Sequence, residues 1–316
     1  MIGTPGEITL LVTDKSQRAD RVVSLDLRHP DGAEVPQWEP GAHIDLGVGK
    51  GQFRQYSLCG DPSDRRMLTV AVLLDENGRG GSRYVHDVIT TGSRVLIRGP
   101  RNHFQFTDSP RYLFIAGGIG ITPLKPMIAA ADRANREWHL LYCGRSRTTM
   151  SFLDELDAYG SRVTIAPSEE TGRLDLGTTL GELDPTTMVY CCGPEPLLDA
   201  VEQHCNTRGL DLRTEWFAPK DGADNGENLA FTVELAQSHR TLEVPTNRSL
   251  LDVLLDADID ILTSCEEGTC GTCEIGVLAG EVDHRDCVLS ATEQQTNERM
   301  MVCVSRARSQ RLILNL

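Results

Sequence analysis

The sequence predicts a multidomain chain: an antiparallel β-barrel, then an α/β domain on a parallel sheet, then a small α+β domain of the β-grasp kind. Three observations carry this. Residues 1–107 run as short alternating apolar stretches, such as Ile8–Val12, Val22–Leu27 and Met67–Leu74, punctuated by glycine and proline, which is the pattern of a small antiparallel barrel. Three later apolar runs each enter a glycine turn: Arg111–Ala116 before Gly117, Leu140–Cys143 before Gly144, and Met188–Cys192 before Gly193. Strands that repeatedly end in a glycine turn ahead of a helix build a parallel sheet whose carboxyl ends share one crevice. Finally, Leu229–Leu235 alternates as a strand, Ser249–Leu255 reads as a helix, and Ser290-Ala-Thr-Glu293 opens another helix with a capping box.

At 316 residues the chain exceeds one ordinary core, since domains run to roughly 100–200 residues. Its formal charge of −15 argues against a nucleic-acid partner, because neutralising phosphates takes clustered Lys and Arg. The imbalance is uneven: residues 1–107 carry 13 basic and 13 acidic groups, residues 108–228 carry 11 and 19, and residues 229–316 carry 7 and 14. An acidic third domain is either simply solvated or steers association with a basic partner surface. No apolar run approaches the roughly 20 residues that span a bilayer, and the N-terminus lacks a charged-then-apolar signal. No membrane partner is therefore expected, and a cytoplasmic setting is. The ten cysteines are then thiols or metal ligands rather than disulfides.

Their spacing sharpens this. Cys265-Glu-Glu-Gly-Thr-Cys270-Gly-Thr-Cys273, followed after 29 intervening residues by Cys303, has the C-x4-C-x2-C…C spacing of plant-type [2Fe-2S] ligation. Three thiolates from one short loop must converge on a small cluster, so the loop has to curl and turn its N–H groups toward the sulfurs. Gly268 and Gly271 supply the backbone freedom. A zinc knuckle or a set of buried thiols is the alternative. Zinc sites usually pair C-x2-C with a second two-ligand motif, whereas Cys303 stands alone after Met300-Met301-Val302 on an expected strand. Cys287 fits no ligand spacing. Residues 229–316 resemble plant-type ferredoxins.

Gly117-Gly118-Ile119-Gly120-Ile121-Thr122-Pro123 follows the first strand of the middle domain, with a helix expected from Leu124. Strand, glycine turn and helix set N–H groups and a positive helix end against phosphate. The G-x-G-x-x-G fingerprint is not met, since Pro123 takes its last glycine position, and alone the loop would pass for a tight turn without a ligand. Its recurrence on the other two strands favours a nucleotide. The set resembles the pyridine-nucleotide domain of the ferredoxin–NADP⁺ reductase superfamily. That resemblance implies Gly118, Gly120 and Thr122 against the pyrophosphate of NADH, with Cys192 and Gly193 beside its nicotinamide. Arg145 and Arg147, after the second strand, are either a site for the 2′-phosphate of NADPH or solvated surface; the resemblance favours NADH.

Two motifs stand in the barrel. In Arg54-Gln-Tyr56-Ser57-Leu-Cys59 a cation, an aromatic ring and a hydroxyl are read as alternating, and so as facing one side of a strand. The alternative is an outward arginine beside a core tyrosine. In Arg79-Gly80-Gly81-Ser82, opening an expected helix over Arg83–Ile89, two glycines and a serine present N–H donors and a hydroxyl to a phosphate, or else make a plain N-cap. Together the motifs resemble the flavin site of the phthalate dioxygenase reductase family. This implies FMN rather than FAD, with Arg79, Gly80, Gly81 and Ser82 at its phosphate and its ring against Arg54, Tyr56 and Ser57. Thr214-Glu215-Trp216-Phe217 resembles the segment that returns an aromatic residue toward the flavin, which nominates Phe217. Lys220–Asn228 is polar and glycine-containing, suited to a linker.

The resemblance covers essentially the whole chain in one order. The chain is identified as a member of the phthalate dioxygenase reductase family, close to the reductase components of vanillate O-demethylase-type Rieske systems. This implies an FMN-binding β-barrel domain at 1–107, an NADH-binding α/β domain at 108–222, a linker at 223–228 and a plant-type [2Fe-2S] ferredoxin domain at 229–316. The combination has a chemical logic: hydride delivers two electrons together, a [2Fe-2S] cluster takes one, and a flavin accepts pairs and releases electrons singly. The implied activity is an NADH-dependent iron–sulfur flavoprotein oxidoreductase feeding a terminal oxygenase component that acts on an aromatic compound. Hydride and electron transfer are borne by cofactors, so no catalytic residue is nominated. No Ser-His-Asp or paired-carboxylate arrangement asks for one, and no metal-ligand spacing connects His43, His86 and His103. A cytochrome P450 as electron acceptor, or a redox-sensing iron–sulfur flavoprotein, are the alternatives.

Overall fold

The computed structural model describes residues 7–172, 174–181, 183–219 and 227–316. They fall into two compact units, one ending at Glu215 and one spanning Trp216–Leu316. The expected linker at 223–228 lies outside the described residues over 223–226.

The first unit opens with β1 Glu7–Ala19, β2 Val22–Arg28, β3 His43–Gly47, β4 Phe53–Ser57 and β5 Leu68–Leu73, followed by helix α1 Gly81–Asp87 and β6 Arg94–Arg101. The strands pair antiparallel in the order β4-β3-β6-β1-β2-β5. A bridge between Leu58, just past β4, and Val70 of β5 joins the two edges, so the sheet curls into a barrel. Leu10, Leu25, Leu27, Ile44, Leu46, Leu58, Leu68 and Ile97 fill it with no exposed surface. Each such burial stabilises by about 1.5–3 kcal/mol, which explains the alternating apolar runs in the sequence.

Helix α1, with 7 residues, is too short to hold itself. Lys15 on β1 donates from Nζ to the carbonyls of Val85, His86 and Ile89 at 2.9, 2.6 and 2.7 Å, using all three ammonium protons on carbonyls that a helix end leaves open. His86 Nε2 lies 2.9 Å from the Val72 carbonyl on β5. Replacing Lys15 with Met is expected to lower stability by about 1–3 kcal/mol, since three carbonyls lose a charged donor. The effect would be read as a lower urea midpoint at unchanged slope.

The same unit continues with β7 Arg111–Gly117, α2 Ile121–Arg133, β8 Glu137–Gly144, α3 Leu153–Leu156, β9 Val163–Pro167, α4 Ser168–Thr171, α5 Leu176–Gly181, β10 Thr187–Cys192, α6 Glu195–Arg208 and β11 Leu212–Glu215. Five strands run parallel in the order β11-β10-β7-β8-β9. The order reverses between β7 and β10, which places a crevice at their carboxyl ends. Val22, Cys59, Ala71 and Phe104 of the barrel region share a core with this sheet. Helix α2 starts at Ile121 rather than at Leu124. Pro123 sits at its third position, where an N–H would have no intrahelical acceptor, so the proline begins the helix instead of delaying it.

The second unit holds β12 Phe231–Leu235, β13 Arg240–Val244, α7 Leu250–Asp256, β14 Glu274–Ala279, β15 Val282–Asp283, α8 Ala291–Thr296, β16 Arg299–Met301, β17 Arg306–Ala307 and β18 Arg311–Leu314. Its main sheet runs β13-β12-β18-β14-β16, with β12 and β18 parallel and the other pairs antiparallel, and β15 pairs separately with β17. Both expected helix starts carry reciprocal capping boxes. Ser249 exchanges hydrogen bonds with Asp252 at 3.0 and 3.2 Å, and Ser290 exchanges them with Glu293 at 2.9 and 3.3 Å.

Candidate functional site

Strand β14 begins directly after Cys273 and pairs antiparallel with β16 so that Glu274 faces Met301. That register carries the chain past Val302, whose N–H donates to the Cys273 carbonyl at 3.4 Å, and delivers Cys303 to the loop that bears the other three thiols. Cys270, Cys273 and Cys303 are buried, while Cys265 is half-buried. Loop amides turn inward as the sequence requires. The N–H groups of Glu267 and Thr269 donate to Cys265 Sγ at 3.3 and 3.4 Å, and that of Thr272 to Cys270 Sγ at 3.5 Å. Glu266, Gly268 and Gly271 take left-handed φ values of 59°, 72° and 71° to make the curl.

The thiols bond to one another. Hydrogen bonds from Cys270 and Cys303 pull the Cys265 thiol far below its ordinary range, and the bond with Cys303 also lowers Cys273. The same bonds push Cys270 and Cys303 up. Among the described residues no group of three or more histidine, cysteine or carboxylate side chains is spaced to hold a single metal ion. Three thiols from one loop and a fourth brought to it by β16 suit a two-iron cluster, whose ligands attach to two centres. Cys287 braces the loop, its N–H donating to the Gly268 carbonyl at 3.1 Å.

In the barrel, β4 corrects one expectation. Period two puts Arg54 and Tyr56 on one face and Ser57 on the other, so cation, ring and hydroxyl do not share a side. Tyr56 packs against the barrel core, and burial raises its phenol well above its ordinary range against the pull of the Arg54 guanidinium. The Arg54 stem lies on Gly81, where an added Cβ would stand 2.4 Å from Arg54 Cγ, which brings Arg54 to the glycine turn. Gly80 caps α1 in a left-handed conformation, with φ 84°, so the helix starts at Gly81 rather than Arg83. Ser82 Oγ accepts the Asp75 N–H at 3.0 Å and closes the turn. Arg79 is exposed beside it.

At the crevice of the parallel sheet, the glycines bring β7 and β10 into backbone contact. A Cβ on Gly120 would lie 2.1 Å from the Cys192 carbonyl oxygen and 2.8 Å from Gly193 N, and one on Gly193 would lie 2.9 Å from Gly117 Cα. Gly117, Gly120, Cys192 and Gly193 therefore meet at the carboxyl ends of β7 and β10, with Gly118 in the same turn ahead of α2, and a helix start of this kind favours an anion. Thr122 is buried, and its hydroxyl donates to the Ile119 carbonyl at 2.9 Å, fastening the turn.

No sequence signal points to Glu215, which lies in the segment that nominates Phe217. It ends β11 in register with Cys192, and Ser57 Oγ donates to its Oε2 at 3.1 Å. Burial pushes its carboxyl up to about 8, with the Ser57 bond opposing, and burial followed by the charge of Glu215 raises the Cys192 thiol. Phe217 lies in the second unit, 46% exposed.

A raised folded pKa means that the stability Glu215 contributes is complete below about pH 4.5 and is lost as pH climbs through about 8. Because the residue is half-buried, solvent screening limits the effect to about 1–2 kcal/mol. Glu215→Gln is therefore expected to flatten the decline in urea midpoint between pH 5 and pH 8. An equal decline in both proteins would contradict this.

Residues 233–308 match the 2Fe-2S iron-sulfur cluster binding domain and residues 114–203 the oxidoreductase NAD-binding domain; the four thiols fall within the first range and the glycine cradle within the second. The phthalate dioxygenase reductase of Burkholderia cepacia is 38% identical, over 98% of each chain. The chain belongs to the phthalate dioxygenase reductase family. A solved phthalate dioxygenase reductase, described as a modular structure for electron transfer from pyridine nucleotides to [2Fe-2S], matches with a TM-score of 0.70 at 36% identity, over 98% of both chains. An intact type IV self-sufficient cytochrome P450 monooxygenase matches with a TM-score of 0.91 at 42% identity. That match covers 98% of this chain and 41% of the other, so this member of the family spans about two fifths of the P450 chain. As a phthalate dioxygenase reductase family protein it is an NAD-dependent iron–sulfur flavoprotein oxidoreductase. Among its described residues no helix is long and apolar enough to cross a membrane.

Proposed function

We propose that the protein transfers hydride from NADH to FMN and passes single electrons through its [2Fe-2S] cluster to a separate terminal oxygenase of Rieske type acting on an aromatic compound, in the cytoplasm. The main support is the Ser57–Glu215 hydrogen bond. It joins the barrel strand that bears the flavin motif to the strand end beside Cys192, so a flavin ring and a nicotinamide held by these two motifs would meet there.

When bound, FMN supplies the conversion between an electron pair and single electrons, and the cluster supplies the one-electron exit. The chain's own residues bind and orient. Arg54, Arg79, Gly80, Gly81 and Ser82 hold the FMN phosphate, with Arg54 as the cation on the glycine turn. Tyr56 and Ser57 border the flavin ring. Gly118, Gly120 and Thr122 shape the pyrophosphate cradle, and Cys192 and Gly193 border the nicotinamide. Glu215 accepts the Ser57 hydroxyl at the strand end, where burial favours its protonated form. Cys265, Cys270, Cys273 and Cys303 ligate the two irons. The modules are a flavin barrel at 1–107, a nucleotide domain at 108–222, a linker at 223–228 and a ferredoxin domain at 229–316.

The 42% identity to a self-sufficient P450 favours a second reading, in which the electrons go to a P450 haem. Purified protein supplied with NADH and either a Rieske oxygenase or a reductase-free P450 separates the two. Reduction of the Rieske protein, with acid-released flavin co-eluting with FMN, is the expected result. Reduction of the P450 alone would transfer the assignment to the haem partner, and FAD or no flavin would overturn the cofactor assignment.

A further inference from the structure

Arg145 and Arg147 follow β8 at the carboxyl edge of the parallel sheet, on the side of β7 away from Cys192. With a pyrophosphate at Gly118–Thr122 and the nicotinamide toward Cys192, the adenosine half of the dinucleotide extends over the ends of β8 and β9, within about two strand spacings of 4.8 Å. A 2′-phosphate, the one group by which NADPH differs from NADH, would meet the protein there.

Both arginines at that rim already have carboxylate partners. Arg145 Nε donates to Glu169 Oε1 at 3.1 Å, and Arg147 Nε donates to both carboxylate oxygens of Glu170 at 3.1 and 3.2 Å. The acids stand on α4, immediately after β9. Backbone bonds fix the two loops together: the Glu169 N–H donates to the Arg145 carbonyl at 3.0 Å, and the Ser168 hydroxyl donates to the same oxygen at 3.5 Å. All four side chains are exposed, where an ion pair adds little to stability. Its consequence for a ligand is larger, because two carboxylates cancel the charge that would attract a phosphate dianion and take the Nε donor of each guanidinium.

We propose that Glu169 and Glu170 set the preference for NADH over NADPH, by engaging Arg145 and Arg147 and by repelling a 2′-phosphate. This rests on the nucleotide site proposed above. The two acids are a specificity filter acting on the adenosine end, distant from the electron transfer.

The test titrates the intact protein with 5′-AMP and with 2′,5′-ADP, which differ only in the 2′-phosphate. Wild type should bind 2′,5′-ADP at least about tenfold more weakly than 5′-AMP, a difference of about 1.4 kcal/mol. In Glu169→Gln/Glu170→Gln the affinity ratio should shift by about tenfold or more toward 2′,5′-ADP. The KM for NADPH should fall in parallel while its kcat stays put. Adding Arg145→Ala and Arg147→Ala should cancel the gain. Equal binding of the two nucleotides by wild type, or an unchanged ratio in the double glutamine variant, would overturn the filter and leave the nucleotide site standing. Failure of wild type to bind 5′-AMP would overturn both.

Discussion

Cys303→Ser is expected to abolish the [2Fe-2S] cluster and to cut electron delivery to a protein acceptor by more than about 100-fold, with NADH-driven ferricyanide reduction retained. Cys303 is the one proposed ligand that arrives from outside the loop, on the antiparallel register of β14 and β16. A serine hydroxyl is a harder and far more basic ligand than a thiolate, so the fourth iron bond is lost while the strand pairing survives. Ferricyanide accepts electrons from a flavin directly, and the flavin and nucleotide motifs belong to the first compact unit. Iron and sulfide counts, with the visible spectrum, check the outcome. A variant that keeps its cluster would remove Cys303 from the ligand set.

Gly120→Val is expected to raise the KM for NADH by about 100-fold or more, or to abolish reduction by NADH, while the flavin and cluster spectra persist. The added Cβ would stand 2.1 Å from the Cys192 carbonyl oxygen. The obstacle is backbone, so no rotamer relieves it, and the carboxyl ends of β7 and β10 must separate at the cradle. Chemical reduction by dithionite would bypass the lesion, which distinguishes a damaged nucleotide site from a damaged electron path. Wild-type NADH kinetics in this variant would mean that the crevice is not where the dinucleotide lies.

What was legible in the sequence is what lies close together along the chain. The loop from Cys265 to Cys273, the helix after Ser249, the capping box at Ser290, and the glycine turn at Gly117–Gly120 all express local backbone demands, and each appears where the residues call for it. Strands β9 and β11 were not read, since β11, Leu212–Glu215, is short and polar and carries no apolar period. The face of Ser57 was misread, because a hydroxyl adjacent to Tyr56 falls on the opposite side of a strand. Glu215 was invisible for a different reason: its partner is 158 residues away, and only the folded sheet brings the end of β11 to Ser57. The pairing of Arg145 with Glu169 likewise spans 24 residues and depends on β8 and β9 being neighbours.

Anaerobic titration of the purified protein with NADH, followed by optical and EPR spectra, probes the electron relay most directly. One flavin taking two electrons and one cluster taking one predict full reduction at about 1.5 equivalents of NADH per chain, with flavin bleaching and the paramagnetic signal of a reduced [2Fe-2S] cluster appearing together. Zinc in place of iron, or a flavin reduced by NADH with no cluster signal ever developing, would contradict it.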